Sequence, residues 1–136
     1  MNTQELPLVT FEQAKRLKQL GFDWETFEFY AENGNSNHWK NAKYDIPKNW
    51  NIMHDYKSYD VFYSAPTVAL ALKWMRDVKK IINWVECNSY HVYFGGYFVN
   101  RNFEQSKICK EYEASESALL DELLTILEKE MRYDKA

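Results

Sequence analysis

The sequence predicts an α+β domain: an antiparallel sheet of about three to five strands with about three helices packed on it, in the order helix, hairpin, helix, strands, helix. Three observations carry this. Three segments repeat apolar residues at helical spacing, and the runs between them alternate aromatic and polar residues. Asn88-Ser89 then joins two such runs with far too few residues for a parallel crossover, which needs about a dozen. The third observation is composition: 136 residues, 46% apolar, with 10 Tyr, 8 Phe and 5 Trp but only 4 Gly and 3 Pro. Such a chain is too apolar for disorder and of a length for one domain, 1–136, with one core.

The first helix is expected over 11–20. Thr10 and Gln13 have capping-box spacing, Phe11, Ala14, Leu17 and Leu20 share one side, and Gly21 supplies a left-handed stop. Phe22 can then close back on Leu17. Trp24 to Tyr30 reads as a strand, Asn33-Gly34 as a hairpin turn, and His38 to Tyr44 as the returning strand. After Pro47 the periodicity is lost, so an irregular aromatic and Asn-rich segment is expected over about 31–63, with a short strand near Val61–Tyr63.

A second helix follows, capped by Ser64 or Ala65 with Pro66 in its first turn. Val68, Ala71, Leu72, Met75 and Val78 form its buried stripe, with Leu70 and Trp74 widening it towards a second neighbour. Residues 81–87 and 90–94 read as strands, and 97–99 as a continuation or a third strand. Gly95-Gly96 permits a turn or a bulge between them. Phe103 to Cys109 adds an edge strand. The last helix is expected from Glu113–Ser115 to about Arg132, burying Leu119, Leu120, Leu123, Leu124, Ile126 and Leu127, with Asp121, Glu122, Glu128 and Lys129 outward.

Charge and termini narrow the function. The N-terminal residues lack a basic run followed by an apolar core, and no apolar stretch approaches the ~20 residues of a membrane span, so a cytoplasmic setting is expected. Cys87 and Cys109 do not make a disulfide framework. Net charge is −3, far from the basic balance typical of nucleic-acid binders.

Candidate chemistry is sparse. Cys87, His91, Cys109, His38 and His54 could ligate a metal, but no second closely spaced pair accompanies Cys87 and His91. There is no G-x-S-x-G elbow, and Gly95-Gly96 stands without the Gly-Lys-Ser/Thr of a phosphate loop. No catalytic residue, metal or cofactor is therefore expected. A small-molecule enzyme would need His91, Cys87 and a carboxylate gathered in one pocket.

Two surfaces remain. Lys73, Arg76, Lys79 and Lys80 cluster on and after the second helix and could touch phosphates, although a solvated helix end explains them equally. The helix–strands–helix order over 66–132 superficially matches a double-stranded RNA-binding domain, but Glu111, Glu113 and Glu116 stand where that module places lysines. Trp39, Tyr44, Trp50, Tyr56 and Tyr59 lie among Asn35, Asn37, Asn41, Asn49 and Asn51, a composition used by adaptable recognition surfaces and equally by rings that cover a small sheet.

Ser64-Ala65-Pro66-Thr67 leading into Ala71-Leu72-Lys73-Trp74-Met75-Arg76, together with Ser117-Ala118-Leu119-Leu120-Asp121, resembles small uncharacterised proteins of Bacteroides-type bacteria, their phages and mobile elements. Val9-Thr10-Phe11 through Leu17-Lys18-Gln19-Leu20-Gly21-Phe22 fits the same group, and the likeness thins over 31–60. The second half is similar to phage α-β-α sandwich domains. These motifs are helix starts and core faces, so the resemblance implies a fold and a phage or mobile-element setting, with no activity, cofactor or site residue. The expected function is that of a non-enzymatic accessory protein acting by protein contact or self-association. Weak nucleic-acid binding through the second helix, or an enzyme with an unrecognised site, are the alternatives.

Overall fold

The computed structural model describes residues 6–33, 38–55 and 60–134. The chain is α+β, with three α-helices among the described residues, but its strands form two antiparallel sheets in place of the single sheet expected. By its contacts the chain divides into two compact units, Leu8–Pro66 and Met1–Pro7 with Thr67–Ala136.

In the unit Leu8–Pro66, helix α1 (Phe11–Gln19) begins with the capping box that the sequence encodes. The Gln13 amide donates to Thr10 Oγ1 (3.1 Å) and the Thr10 amide to Gln13 Oε1 (2.9 Å). It ends in a Schellman closure: Gly21 takes φ +91°, and the Phe22 and Gly21 amides donate to the Leu17 and Lys18 carbonyls. Strands β1 (Thr26–Asn33), β2 (Trp39–Lys48), β3 (His54–Asp55) and β4 (Asp60–Ser64) lie in the order β2-β1-β4-β3. The hairpin strands pair as expected, Glu32 opposite Trp39; its turn beyond Asn33 lies outside the described residues.

The segment after Pro47 is more ordered than its sequence suggests. β2 runs on to Lys48, but its register jumps between Glu28↔Lys43 and Thr26↔Lys48, so Tyr44–Pro47 bulge out opposite Phe27. Pro47 has no N–H to offer a ladder, and an edge-strand bulge is where such a residue fits. A single 3-10 turn, Trp50–Ile52, then returns the chain to the core.

The second unit is built from α2 (Val68–Asp77), β5 (Asn83–Cys87), β6 (Tyr93–Val99), β7 (Asn102–Gln105) and α3 (Tyr112–Asp134), with the sheet order β5-β6-β7. The cap of α2 is Thr67, whose hydroxyl accepts from the Leu70 amide (3.1 Å), and Pro66 precedes the helix. Ser64 does not serve: it is the last residue of β4, too far before Val68 to cap the helix, and its hydroxyl accepts from the Trp50 amide (3.0 Å). Val68, Ala71, Leu72, Trp74 and Met75 are buried, whereas Val78, assigned to the same stripe, is exposed at the helix end.

Asn88 makes the β5–β6 turn, its Oδ1 accepting from the Tyr90 amide (2.8 Å). Gly95-Gly96 is neither turn nor bulge: β6 runs through it in unbroken register with Val85 and Trp84. Asn100 and Arg101, at φ +52° and +68°, form the two-residue turn into β7. Beyond β7, the Cys109 backbone exchanges two 2.8 Å hydrogen bonds with Tyr93. Leu119, Leu120, Leu123, Leu124 and Leu127 of α3 are buried, as their spacing predicts, whereas Ile126, expected with them, is half-buried. Glu122, expected outward, is half-buried and accepts from the Tyr97 hydroxyl; together with burial it holds that phenol up to about 12. Among the described residues no helix is long and apolar enough to cross a membrane.

Candidate contact surface

Side chains along a strand alternate between faces, and in β6 that alternation separates core from surface. A Cβ at Gly95 would meet Leu119 Cβ at 2.8 Å and Ser106 Oγ at 2.7 Å, so this phase of β6 faces α3. A Cβ at Gly96 would meet Trp84 Cζ2 at 2.5 Å, so on the opposite face the indole lies against the bare backbone. Phe98 shares the Gly96 phase and pairs across the strands with Phe103.

These three rings pack on one another. Centroid separations are 5.7 Å for Trp84–Phe98, 5.9 Å for Trp84–Phe103 and 6.1 Å for Phe98–Phe103. Yet Phe98 is 40% and Phe103 50% exposed, and neighbouring Ile82 is more exposed still. Trp84 Nε1 donates to Glu86 Oε1 (3.1 Å), which fixes the indole in its plane. Beside the rings, Lys80, Ile82, Phe98, Asn100 and Arg101 line a concavity of about 470 Å³, with two cations and no acid among its described lining residues. The Asn100-Arg101 turn places Arg101 there.

Of the aromatic residues singled out from sequence, the described three, Trp39, Tyr44 and Trp50, do not share one exposed surface. Trp50 is a core residue, 6% exposed: its indole stacks on Phe29 (4.1 Å) and donates to the Thr26 carbonyl (2.7 Å). Its apolar bulk and its single N–H are both satisfied internally, which removes it from any partner surface. Tyr44 is exposed on the bulge with its ring edge towards Trp50 (5.8 Å), and Lys48 lies over both rings. Trp39 is 52% exposed and stacks on Phe11 at 4.8 Å. Tyr56 and Tyr59 lie outside the described residues.

The four cations of the second helix are likewise dispersed in their contacts. Lys73 pairs with Asp77, whose carboxyl its hydrogen bond holds below the usual carboxylate range. Arg76 donates to Asn83 Oδ1 (3.0 Å), and Lys79 lies over the Trp74 ring (5.3 Å). Lys80 alone of the four lines the ring-side concavity. Cys87 is exposed, Cys109 half-buried, and no three His, Cys, Asp or Glu groups converge among the described residues.

Sequence reasoning thus missed Trp84, Phe98, Phe103 and Arg101. A signal existed in the phase of β6, where Phe98 stands two residues from Gly96 on the side opposite Tyr97. Its meaning depends on knowing that Gly95-Gly96 lies within a strand. No family model matches this chain, and no curated protein or solved structure matches it.

Proposed function

We propose that this chain acts by protein contact, with the ring face of β5-β6-β7 as its recognition surface and an apolar segment flanked by acidic side chains as its partner. The observation that carries this reading is the cluster of Trp84, Phe98 and Phe103, packed on one another, with Trp84 half-buried and Phe98 and Phe103 exposed beside Ile82. Mutually packed rings lose little side-chain entropy on binding, which is how aromatic residues come to dominate contact energetics. Lys80 and Arg101 beside Phe98 and Ile82 favour carboxylates next to an apolar anchor. The resemblance of the helix starts to Bacteroides-type phage and mobile-element proteins supports an accessory role in that setting.

Rings and cations also suit single-stranded nucleic acid. The aliphatic Ile82 in the concavity, which offers a base no stacking face, favours the peptide. A displayed random-peptide library panned on the intact chain tests this. Enriched peptides should carry an aromatic or aliphatic residue between Asp or Glu, and bind Phe98→Ser and the Lys80→Glu/Arg101→Glu double variant at least tenfold more weakly. Enrichment without acidic bias overturns it. So does a preference for oligo(dT) that depends on Phe98 and falls steeply with salt.

A further inference from the structure

A second concavity, of about 390 Å³, lies between α2, β5 and the start of α3. Its volume is in the range of small-molecule sites. Ala69, Leu72 and Val85 give it apolar walls. Three polar groups line it: Arg76 and Tyr112, both exposed, and Glu116, which is buried.

The first is Arg76, held by Asn83. That asparagine is buried, and its amide nitrogen donates to the Leu72 carbonyl (3.2 Å) and the Ile81 carbonyl (3.1 Å). With both N–H groups committed to backbone, its Oδ1 is left to accept from the Arg76 guanidinium (3.0 Å). Asn83 is a strut that orients a cation at the rim of the groove.

The second and third are Tyr112 and Glu116, one helical turn apart on α3. The Tyr112 hydroxyl donates to the Glu116 carboxylate. Glu116 is only 8% exposed, and its burial, then Glu113, push its carboxyl above the ordinary range. The Arg76 charge reaches across far enough to oppose the rise of the Tyr112 phenol. Yet Arg76 and Glu116, lining one groove with opposite charges, make no ion pair with each other.

Removing a carboxylate from water costs free energy that an added cationic donor offsets. An ammonium group beside Glu116 would be such a donor, while a planar guanidinium matches a carboxylate with two parallel hydrogen bonds. We infer that this groove binds a small amphoteric molecule of the free amino acid class, its carboxylate on Arg76, its ammonium on Glu116 and Tyr112, and its apolar side chain against Ala69, Leu72 and Val85. Trp84, whose indole belongs to the ring face, also lines this groove, whereas Phe98, Phe103, Lys80 and Arg101 do not.

The test uses the intact chain and a panel of free L-amino acids, each with its methyl ester and its N-acetyl derivative, followed by calorimetry and thermal midpoint. At least one amino acid with an apolar side chain should bind and raise the midpoint. Its ester and its N-acetyl form should each bind at least tenfold more weakly. Arg76→Met and Glu116→Gln should each weaken binding by tenfold or more. Should either variant not fold, the side-chain amide resonances of Asn83 in the unaltered chain should shift on saturation. Failure of every panel member to bind overturns the inference, as does an ester or N-acetyl form that binds as tightly as its parent, or saturation that leaves Asn83 unmoved.

Discussion

The indole of Trp84 occupies the space that a side chain on Gly96 would need, with Cζ2 2.5 Å and Cε2 2.6 Å from the position of a Cβ. The exposed ring face exists because this strand residue has no side chain. Gly96→Ala should displace Trp84 and cost about 1–3 kcal/mol of stability, the usual range for overpacking. Urea unfolding measures the loss, and a variant as stable as the parent, with Trp84 emission unchanged, contradicts the packing described.

Trp39 of β2 and Trp50 of the 3-10 turn should separate sharply. Trp50→Ala removes a buried, stacked and hydrogen-bonded ring and should cost about 3–5 kcal/mol, enough to unfold a marginal domain. Trp39→Ala loses a partly exposed stack on Phe11 and an edge contact with Tyr30, each worth about 0.5–1.5 kcal/mol. Chemical denaturation of the two variants side by side checks the order.

Asn83→Ala should be more damaging than its size suggests. It leaves the Leu72 and Ile81 carbonyls without its amide donors and releases Arg76. A buried unsatisfied polar group costs about 1–3 kcal/mol, so a fall of this order is expected in equilibrium unfolding, against near-neutrality for the exposed Asn102→Ala.

Alkaline pH should report on Tyr97. Burial and Glu122 raise its phenol from 10.0 to about 12 in the folded chain. The unfolded chain therefore loses this proton first, so the stabilisation is complete below pH 10 and is lost as pH rises from 10 towards 12. Tyr63, raised to about 12 by burial and Glu32, acts in the same direction. Stability of the parent should fall more steeply across this window than that of Tyr97→Phe; equal slopes would show that Tyr97 does not contribute.

Local chemistry was legible wherever a residue's role depends on its near neighbours in sequence. Thr10, Gln13, Gly21 and Phe22 specify both ends of α1 within a dozen residues, and the leucine spacing of α3 specifies its buried face. What was not legible depends on partners far along the chain. Ser64 looks like a cap for α2 until pairing makes it the end of β4, with its hydroxyl on the Trp50 amide, and Glu122 looks solvated until Tyr97 reaches it. The Asn100-Arg101 turn lacks the glycine that usually marks a two-residue hairpin, and the division into two sheets follows from pairings between distant strands. The ring face was hidden for the same reason: Trp84, Phe98 and Phe103 meet only across three paired strands.

The most direct measurement is a paired one on the double variant Phe98→Ser/Phe103→Ser: stability by urea unfolding, and affinity for an acid-flanked apolar peptide selected on the parent chain. Rings that serve recognition should leave stability within about 2 kcal/mol of the parent while affinity falls more than tenfold. Undiminished affinity in a variant that has lost most of its stability would make these residues part of the core and contradict the account.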